Sequence, residues 1–284
     1  MQVAFQGEPC AYSEAAVLEH FNKEAVVPVP CESFEQVFAA VSEVRVDYGF
    51  IPIENSLAGS IHQNYDLLLR NNLWVVGEHH LRVSHCLIGQ PGASLAGVKK
   101  VISHPQALAQ CDGYLHSLPG VKTEPVYDTA GSVKIVRDQG DEGLAAIASR
   151  RAAQLYGMQI LAENIEDNPA NFTRFLVTSR QPVQPEKDAK TSIVFTLKNV
   201  PGSLFRALSA FALRDIDLAK MESRPLVGTP WEYLFYIDFY GSTLDPVVQR
   251  ALAHLGEYAL MLRILGSYPY HKVESRNSLD KLHV

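Results

Sequence analysis

No Cys-x-x-Cys pair occurs in this 284-residue chain, and its four cysteines, Cys10, Cys31, Cys86 and Cys111, stand far apart. That spacing excludes a zinc knuckle and a disulfide framework and leaves reduced, structural thiols. No apolar stretch reaches the length needed to span a bilayer, and the chain opens on Val3-Ala4-Phe5, a strand, not on a basic segment followed by an apolar run. The expected compartment is therefore cytoplasmic. Positive charge is also scarce: the formal net charge is −6. Nucleic acid and anionic membranes, which need a basic face, are excluded as partners, and a small metabolite is left. The scattered histidines, among them His62, His79, His80 and His85, show no ligand spacing on one helix and read as surface or packed residues. Internal repeats and low-complexity tracts are absent as well. Asn171-Phe172-Thr173 matches a glycosylation acceptor in form alone, since that reading requires a secreted chain.

What is present is length enough for two or three packed units, with an ordinary 47% hydrophobic content. Up to about Ser179, short β-branched runs alternate with longer helical ones, the order of βαβ units on a largely parallel sheet. Strands are expected at Val3–Phe5, Val26–Val29, Tyr48–Ile53, Lys99–Ile102, Val121–Val126 and Leu144–Ile147. Helices are expected at Ser13–Phe21, Phe34–Val44, His62–Arg70, Ala107–His116, Ser132–Arg137 and Arg150–Tyr156. The extended segment Leu73–Ile88 can carry the chain from one small α/β lobe to another, with a return near Ile160–Pro169, which leaves a cleft between the lobes. After the polar, proline-bearing stretch from Gln181 to Asp188, a second pattern reads strand, helix, strand, strand, helix, strand, the ferredoxin-like order.

The densest chemical signal is Asn168-Pro169-Ala170-Asn171-Phe172-Thr173-Arg174-Phe175, a turn followed by a strand that delivers a hydroxyl and a guanidinium to the edge of a cleft. Thr173 is a candidate proton donor or, alternatively, a simple hydrogen-bond partner. Glu54-Asn55-Ser56 ends an apolar strand and reads either as a turn and cap or as a site segment. Ser103-His104-Pro105-Gln106 has the form of a capping box with proline in the first turn. Asp128-Thr129-Ala130-Gly131-Ser132 has the form of an ordinary N-cap.

Taken together and in order, these segments resemble the prephenate dehydratases, whose active-site signature is Asn-x-Thr-Arg-Phe. Phe50 to Ser56, Ser103 to Cys111 and Asp128 to Ser132 are similar to the other motifs of that catalytic domain, and Glu222-Ser223-Arg224-Pro225 is similar to the signature of its regulatory ACT domain. The likeness runs from Gln2 to about Tyr268. It implies a two-lobed catalytic domain like a type II periplasmic binding protein over residues 1–180, with one lobe from about 1–76 and 160–180 and the other from about 77–159. A linker at 181–190, an ACT domain at 191–270 and a tail at 271–284 would follow.

The activity implied is the decarboxylative dehydration of prephenate to phenylpyruvate, with feedback inhibition by L-phenylalanine and no metal or organic cofactor. Loss of water and carbon dioxide aromatises the ring, so the protein's task is to hold a dianion and to protonate the departing hydroxyl. The resemblance assigns catalysis to Thr173, Glu54, Asn55, Ser103 and Gln110, and substrate binding to Ser13, Ser56, Thr129 with its neighbouring amides, Arg174 and Phe175. It assigns the effector to Asn199, Gly202, Ser203, Leu204, Glu222 and Ser223, in a pocket between two paired ACT domains of a dimer or dimer of dimers. At the opening turn, Cys10 and Ala11 replace a usual glycine and a usual hydroxyl residue. In the turn before the regulatory helix, Ser203 and Phe205 depart from the ACT pattern. No chorismate mutase helix precedes Met1, so a monofunctional enzyme is expected. Arogenate dehydration and a non-catalytic amino-acid sensor are the alternatives.

Overall fold

The computed structural model describes residues 1–21, 25–226, 228–229 and 231–271. Of the expected tail, residues 272–284 lie outside the described residues. The strands are β1 (Gln2–Gln6), β2 (Val27–Cys31), β3 (Tyr48–Asn55), β4 (Gly59–Ser60), β5 (Trp74–Arg82), β6 (Cys86–Gly89), β7 (Lys100–Ser103), β8 (Lys122–Pro125), β9 (Leu144–Ala148), β10 (Gln159–Glu163), β11 (Phe172–Ser179), β12 (Ala189–Leu197), β13 (Leu218–Pro225), β14 (Tyr233–Tyr240) and β15 (Ala259–Pro269). The helices are α1 (Tyr12–His20), α2 (Phe34–Ser42), α3 (His62–Arg70), α4 (Pro105–Gln110), α5 (Asp112–His116), α6 (Thr129–Gln139), α7 (Arg150–Tyr156), α8 (Ser203–Ala212) and α9 (Pro246–Tyr258). None is long and apolar enough, among the described residues, to cross a membrane.

By packing, the chain divides into Met1–Asn71 with Leu81–Leu176, and Asn72–His80 with Val177–Val284. This division falls elsewhere than the expected linker, because most of β5 groups with the C-terminal unit. In the first unit, one sheet has the order β2-β1-β3-β11, with β4 on β3, and a second has the order β10-β6-β9-β7-β8. The sequence pattern implied largely parallel sheets, but the second is mixed. β7 runs parallel to β8 and β9, whereas β6 is antiparallel to both β9 and β10. The chain passes between the sheets at Val83–His85 and returns at 164–171.

The second sheet is covered on both faces, which explains its unbroken apolar strands. Ile88, Ile102, Ala146 and Ala148 pack with Val133 and Val136 of α6, while Leu87, Val101, Ala145 and Ile147 pack with Ala107 and Leu115 of the other face. The expected single helix over Ala107–His116 is broken at Cys111, whose φ of −120° leaves the helical range. The Asp167 carboxylate accepts from the Gly113 and Tyr114 amides at 2.9 and 3.2 Å, so a residue distant in sequence stabilises the restart.

The C-terminal unit is a four-stranded antiparallel sheet of order β13-β14-β12-β15, completing the βαββαβ pattern with α8 and α9. Its core joins Ile193, Phe195, Ile237 and Phe239 to Phe211 of α8 and Leu255 of α9. At Gly266 the sheet approaches the β5 backbone so closely that a Cβ would stand 2.0 Å from the Val75 carbonyl oxygen. Glycine is required there by space.

Candidate active site

A cleft of about 240 Å³ opens in the first unit, between its two sheets. Its walls bring together residues that are far apart in sequence: Tyr12 and Ser13 from α1, Asn55 from β3, Thr173 and Phe175 from β11, Gln106 and Gln110 from α4, and Thr129 from α6. His85, on the crossing segment, and His104 complete it. No Asp, Glu, Lys or Arg is among the described residues that line the cleft. Recognition of a charged ligand there rests on hydroxyls, amides and backbone dipoles, in a setting where burial strengthens each of them.

The pairing of β3 with β11 sets the central geometry. Asn55, 8% exposed, donates from Nδ2 to Asn171 Oδ1 at 2.7 Å, to the Phe172 carbonyl at 3.1 Å and to Thr173 Oγ1 at 3.1 Å. Its Oδ1 accepts from the Leu57 and Ala58 amides, both at 3.0 Å. Both ends of this amide are committed within the protein, so Asn55 acts by holding Thr173 and the following turn, not through the direct substrate bonds expected of it. The Thr173 hydroxyl accepts from Asn55 and makes no other side-chain hydrogen bond among the described residues, so its own hydrogen is left to give to a ligand. Replacing Asn55 with alanine strands two amides and the Asn171 and Thr173 oxygens. The expected cost is about 1–3 kcal/mol of stability, read as a lower unfolding midpoint, together with a fall in turnover.

Alternation along the strands explains which expected residues lie elsewhere. Thr173 and Phe175 line the cleft, while Arg174 between them is 5% exposed and faces away, its Nη1 3.8 Å from Glu54 Oε1. Glu54 and Arg174 thus pair with each other, and neither lines the cleft. Ser56 is also turned from it: Oγ donates to the Ala170 carbonyl at 2.7 Å and accepts from the Phe172 amide at 2.9 Å. This clasps the turn that precedes β11.

Ser103 is fully buried and donates to the Ile147 carbonyl at 2.6 Å. It ends β7, and His104 is the residue that caps α4, its Nδ1 accepting from the Gln106 amide at 3.2 Å. The expected capping box begins one residue too early, which removes Ser103 from the cleft. Thr129 lines the cleft, but Asp128 accepts from the Gly131 amide at 2.6 Å, so that first-turn N–H already meets a carboxylate of the protein. At the opening turn, Cys10 adopts φ +70°, the left-handed conformation that glycine takes without cost. Its carbonyl accepts from Ser149 Oγ at 3.0 Å.

Two lining residues carry chemistry that the sequence did not disclose. His85, 2% exposed, has Nε2 2.9 Å from Gln110 Oε1 and Nδ1 2.8 Å from the Tyr12 hydroxyl. Burial lowers the His85 pKa, opposed by a hydrogen bond to Gln110 Oε1 and the nearby Glu166 carboxylate, while burial raises that of Tyr12 well above the usual phenol range. A histidine at the end of an extended run gives no periodic signal. Only the convergence of the crossing segment, α1 and α4 reveals it.

The C-terminal unit has its own pocket of about 330 Å³, where Leu197 to Leu204 meet Trp231, Tyr233 and Phe235. Asn199, Gly202, Ser203 and Leu204 are among its lining residues. Gly202 is left-handed at φ +79°, Ser203 Oγ bonds the Lys198 and Val200 carbonyls at 2.7 and 2.8 Å, and Asn199 donates to the Trp231 carbonyl at 3.2 Å. Glu222 and Ser223 do not line this pocket. They lie on β13, opposite Tyr236 and Phe235 of β14. No group of three or more His, Cys, Asp or Glu residues suited to a metal ion occurs among the described residues.

A sequence profile of the family described as prephenate dehydratase matches residues 3–183. An Arabidopsis thaliana protein named arogenate dehydratase/prephenate dehydratase 2, chloroplastic, is 50% identical over 281 residues, spanning 95% of this chain and 73% of its own. Among solved structures, the prephenate dehydratase of Arthrobacter aurescens in complex with L-Phe is 31% identical with a TM-score of 0.87, covering 94% of this chain and 89% of its own. A structure described as GqqA, a novel type of quorum quenching acylase, is 37% identical with a TM-score of 0.88, covering 95% of this chain and 98% of its own. The chain belongs to the prephenate dehydratase family and is an enzyme of that type.

Proposed function

We propose that the cleft removes water and carbon dioxide from prephenate, giving phenylpyruvate for L-phenylalanine biosynthesis. The observation that carries this reading is the Thr173 hydroxyl, which accepts from Asn55 at 3.1 Å and retains its hydrogen at the cleft wall. Directed at the ring hydroxyl, that hydrogen stabilises the departing oxygen as the carboxylate leaves as carbon dioxide. The electrons of the breaking carbon–carbon bond complete the aromatic ring, so a modest donor suffices. A hydroxyl that accepts a hydrogen bond from Asn55 and, among the described residues, bonds to no imidazole or carboxylate is arranged as a donor, not as the activated nucleophile of an acylase. Ser13, Gln110, Thr129 and Phe175 surround the ligand, and no metal or organic cofactor enters the reaction. Glu54 and Arg174 act behind the cleft by bracing β3 against β11.

Arogenate dehydration is the second reading, favoured by the 50% identity to a plant relative named for both activities. Steady-state assays with the two substrates decide between them. Phenylpyruvate from prephenate is the expected product, and turnover confined to arogenate would replace the first reading with the second.

The C-terminal βαββαβ unit we assign as an ACT domain that binds L-phenylalanine at the pocket beside Gly202, in a homodimer or homotetramer where Glu222 and Ser223 meet the ligand from a second copy. The catalytic domain then comprises residues 1–180. The relative solved with L-Phe supports the choice of effector. The four free cysteines, three of them buried, suit a reducing, cytoplasmic compartment. Inhibition requires that phenylalanine bind a less active arrangement more tightly. Asn199→Ala is expected to raise the half-inhibitory phenylalanine concentration by about tenfold, the equivalent of one lost hydrogen bond, with uninhibited turnover unchanged. Unaltered inhibition would move the effector site elsewhere.

A further inference from the structure

The chain of hydrogen bonds from Tyr12 through His85 to Gln110 can be resolved by counting its hydrogens. The Tyr12 hydroxyl is 2.6 Å from the Ser84 carbonyl oxygen and 2.8 Å from His85 Nδ1, and His85 Nε2 is 2.9 Å from Gln110 Oε1. A carbonyl only accepts, so the single phenolic hydrogen goes to Ser84, and the contact with His85 requires a hydrogen on Nδ1. In a neutral ring that tautomer leaves Nε2 bare and in need of a donor. Gln110 supplies one after a half-turn of its amide, which brings Nε2 to the ring in place of Oε1. Keeping Oε1 toward the ring would demand hydrogens on both ring nitrogens, and an imidazolium is disfavoured in a site that is 2% exposed.

The surrounding titratable and charged groups do not reverse this. They are Tyr12 on α1, Cys86 on β6, Cys111 after α4, and Glu166 on the return segment. Glu166 is already engaged by the His85 amide at 2.9 Å and by Arg82 at 3.2 Å. Burial lowers the His85 pKa more than the Glu166 carboxylate raises it, and an amide turned to donate to Nε2 favours the neutral ring further.

Gln110 makes no other side-chain hydrogen bond among the described residues, and it lines the cleft. Whichever half of its amide does not face His85 is presented to the ligand. We infer that Tyr12 and His85 are positioning residues that turn the Gln110 carbonyl into the cleft, where it accepts a hydrogen from the substrate and so admits the ammonium of arogenate beside the keto acid prephenate. A keto oxygen gains no hydrogen bond from Oε1, whereas an ammonium donates to it. The selectivity between amino and keto substrates is thereby set by a tautomer one residue removed from the ligand. This inference rests on the dehydratase reading of the cleft.

The test joins ¹⁵N NMR of the histidine rings in the full chain to kcat/KM for both substrates. Wild type is expected to hold His85 neutral with its hydrogen on Nδ1. Tyr12→Phe removes the acceptor for that hydrogen. It is expected to shift the ring to the Nε2–H form and to lower the arogenate-to-prephenate ratio of kcat/KM by about tenfold, the loss of one hydrogen bond to the ammonium. Gln110→Glu keeps an acceptor at this point whatever the ring does, and is expected to hold or raise the ratio. An Nε2–H or doubly protonated His85 in wild type, an unchanged ratio in folded Tyr12→Phe, or a lowered ratio in Gln110→Glu overturns the inference. Consumption of neither substrate would remove the dehydratase reading instead, and the wild-type tautomer would then decide the Gln110 orientation by itself.

Discussion

Thr173→Ala is expected to lower kcat by roughly two to four orders of magnitude, the usual range for losing a positioned proton donor, with KM for prephenate little changed. The hydroxyl touches the ligand through one hydrogen, and that hydrogen matters most as charge builds on the departing oxygen, so the loss falls on the transition state. The methyl of Thr173 contributes only packing. Thr173→Ser, which keeps the oxygen within reach of Asn55 Nδ2, should therefore retain much more activity than alanine. Single-turnover measurement of phenylpyruvate separates the chemical step from product release. A folded Thr173→Ala enzyme with near wild-type kcat would take this residue out of the chemistry.

Lys190→Met is expected to destabilise the C-terminal unit by about 3–5 kcal/mol, the cost of leaving one partner of a buried ion pair uncompensated. Lys190 Nζ lies 2.8 and 3.0 Å from the two Glu78 carboxylate oxygens, and the side chains are 7% and 0% exposed. Glu78 also accepts from the His271 amide at 3.1 Å, and a neutral amide does not replace the ammonium as the counter-charge of a buried carboxylate. Urea unfolding should show a lower midpoint at an unchanged slope. Adding Glu78→Leu to Lys190→Met should recover much of the loss, because a neutral pair removes the desolvation penalty. A single variant as stable as wild type would show that water reaches the carboxylate.

The pair also bears on how the chain divides. Glu78 belongs to a segment that the sequence pattern reads as a crossing between the two catalytic lobes, yet Asn72–His80 packs with the unit that begins at Val177. Nothing local in Trp74-Val75-Val76 announces this, since an apolar strand reads the same whichever sheet and neighbour it serves. The partners that decide it, Lys190 and Gly266, lie more than a hundred residues away. By contrast, the runs around Val3–Phe5, Tyr48–Ile53 and Leu144–Ile147 were legible as strands, because β-branched and apolar residues bounded by turns admit few other structures.

The site was legible in part, and the division has a physical cause. Thr173, Phe175, Asn55, Gln110, Ser13 and Thr129 line the cleft because each sits at the end of a strand or the edge of a helix whose position follows from the βα alternation. Glu54, Ser56, Ser103 and Arg174 stand within a residue or a few of lining positions but face other partners. Sequence proximity fixes an address along the chain, and a one-residue step on a strand reverses the direction of the side chain. Tyr12 and His85 were missed for the opposite reason. Their roles arise from a contact across 73 positions that no local pattern encodes.

The central claim is that the cleft walled by Asn55, Thr173 and Gln110 carries out a decarboxylative dehydration. The most direct measurement is the product stoichiometry of the purified full chain supplied with prephenate, reading phenylpyruvate and released carbon dioxide in the same reaction. The account predicts the two in equal amounts, both abolished together in Thr173→Ala. Folded wild-type protein that consumes neither prephenate nor arogenate, or that forms phenylpyruvate undiminished without Thr173, would contradict it.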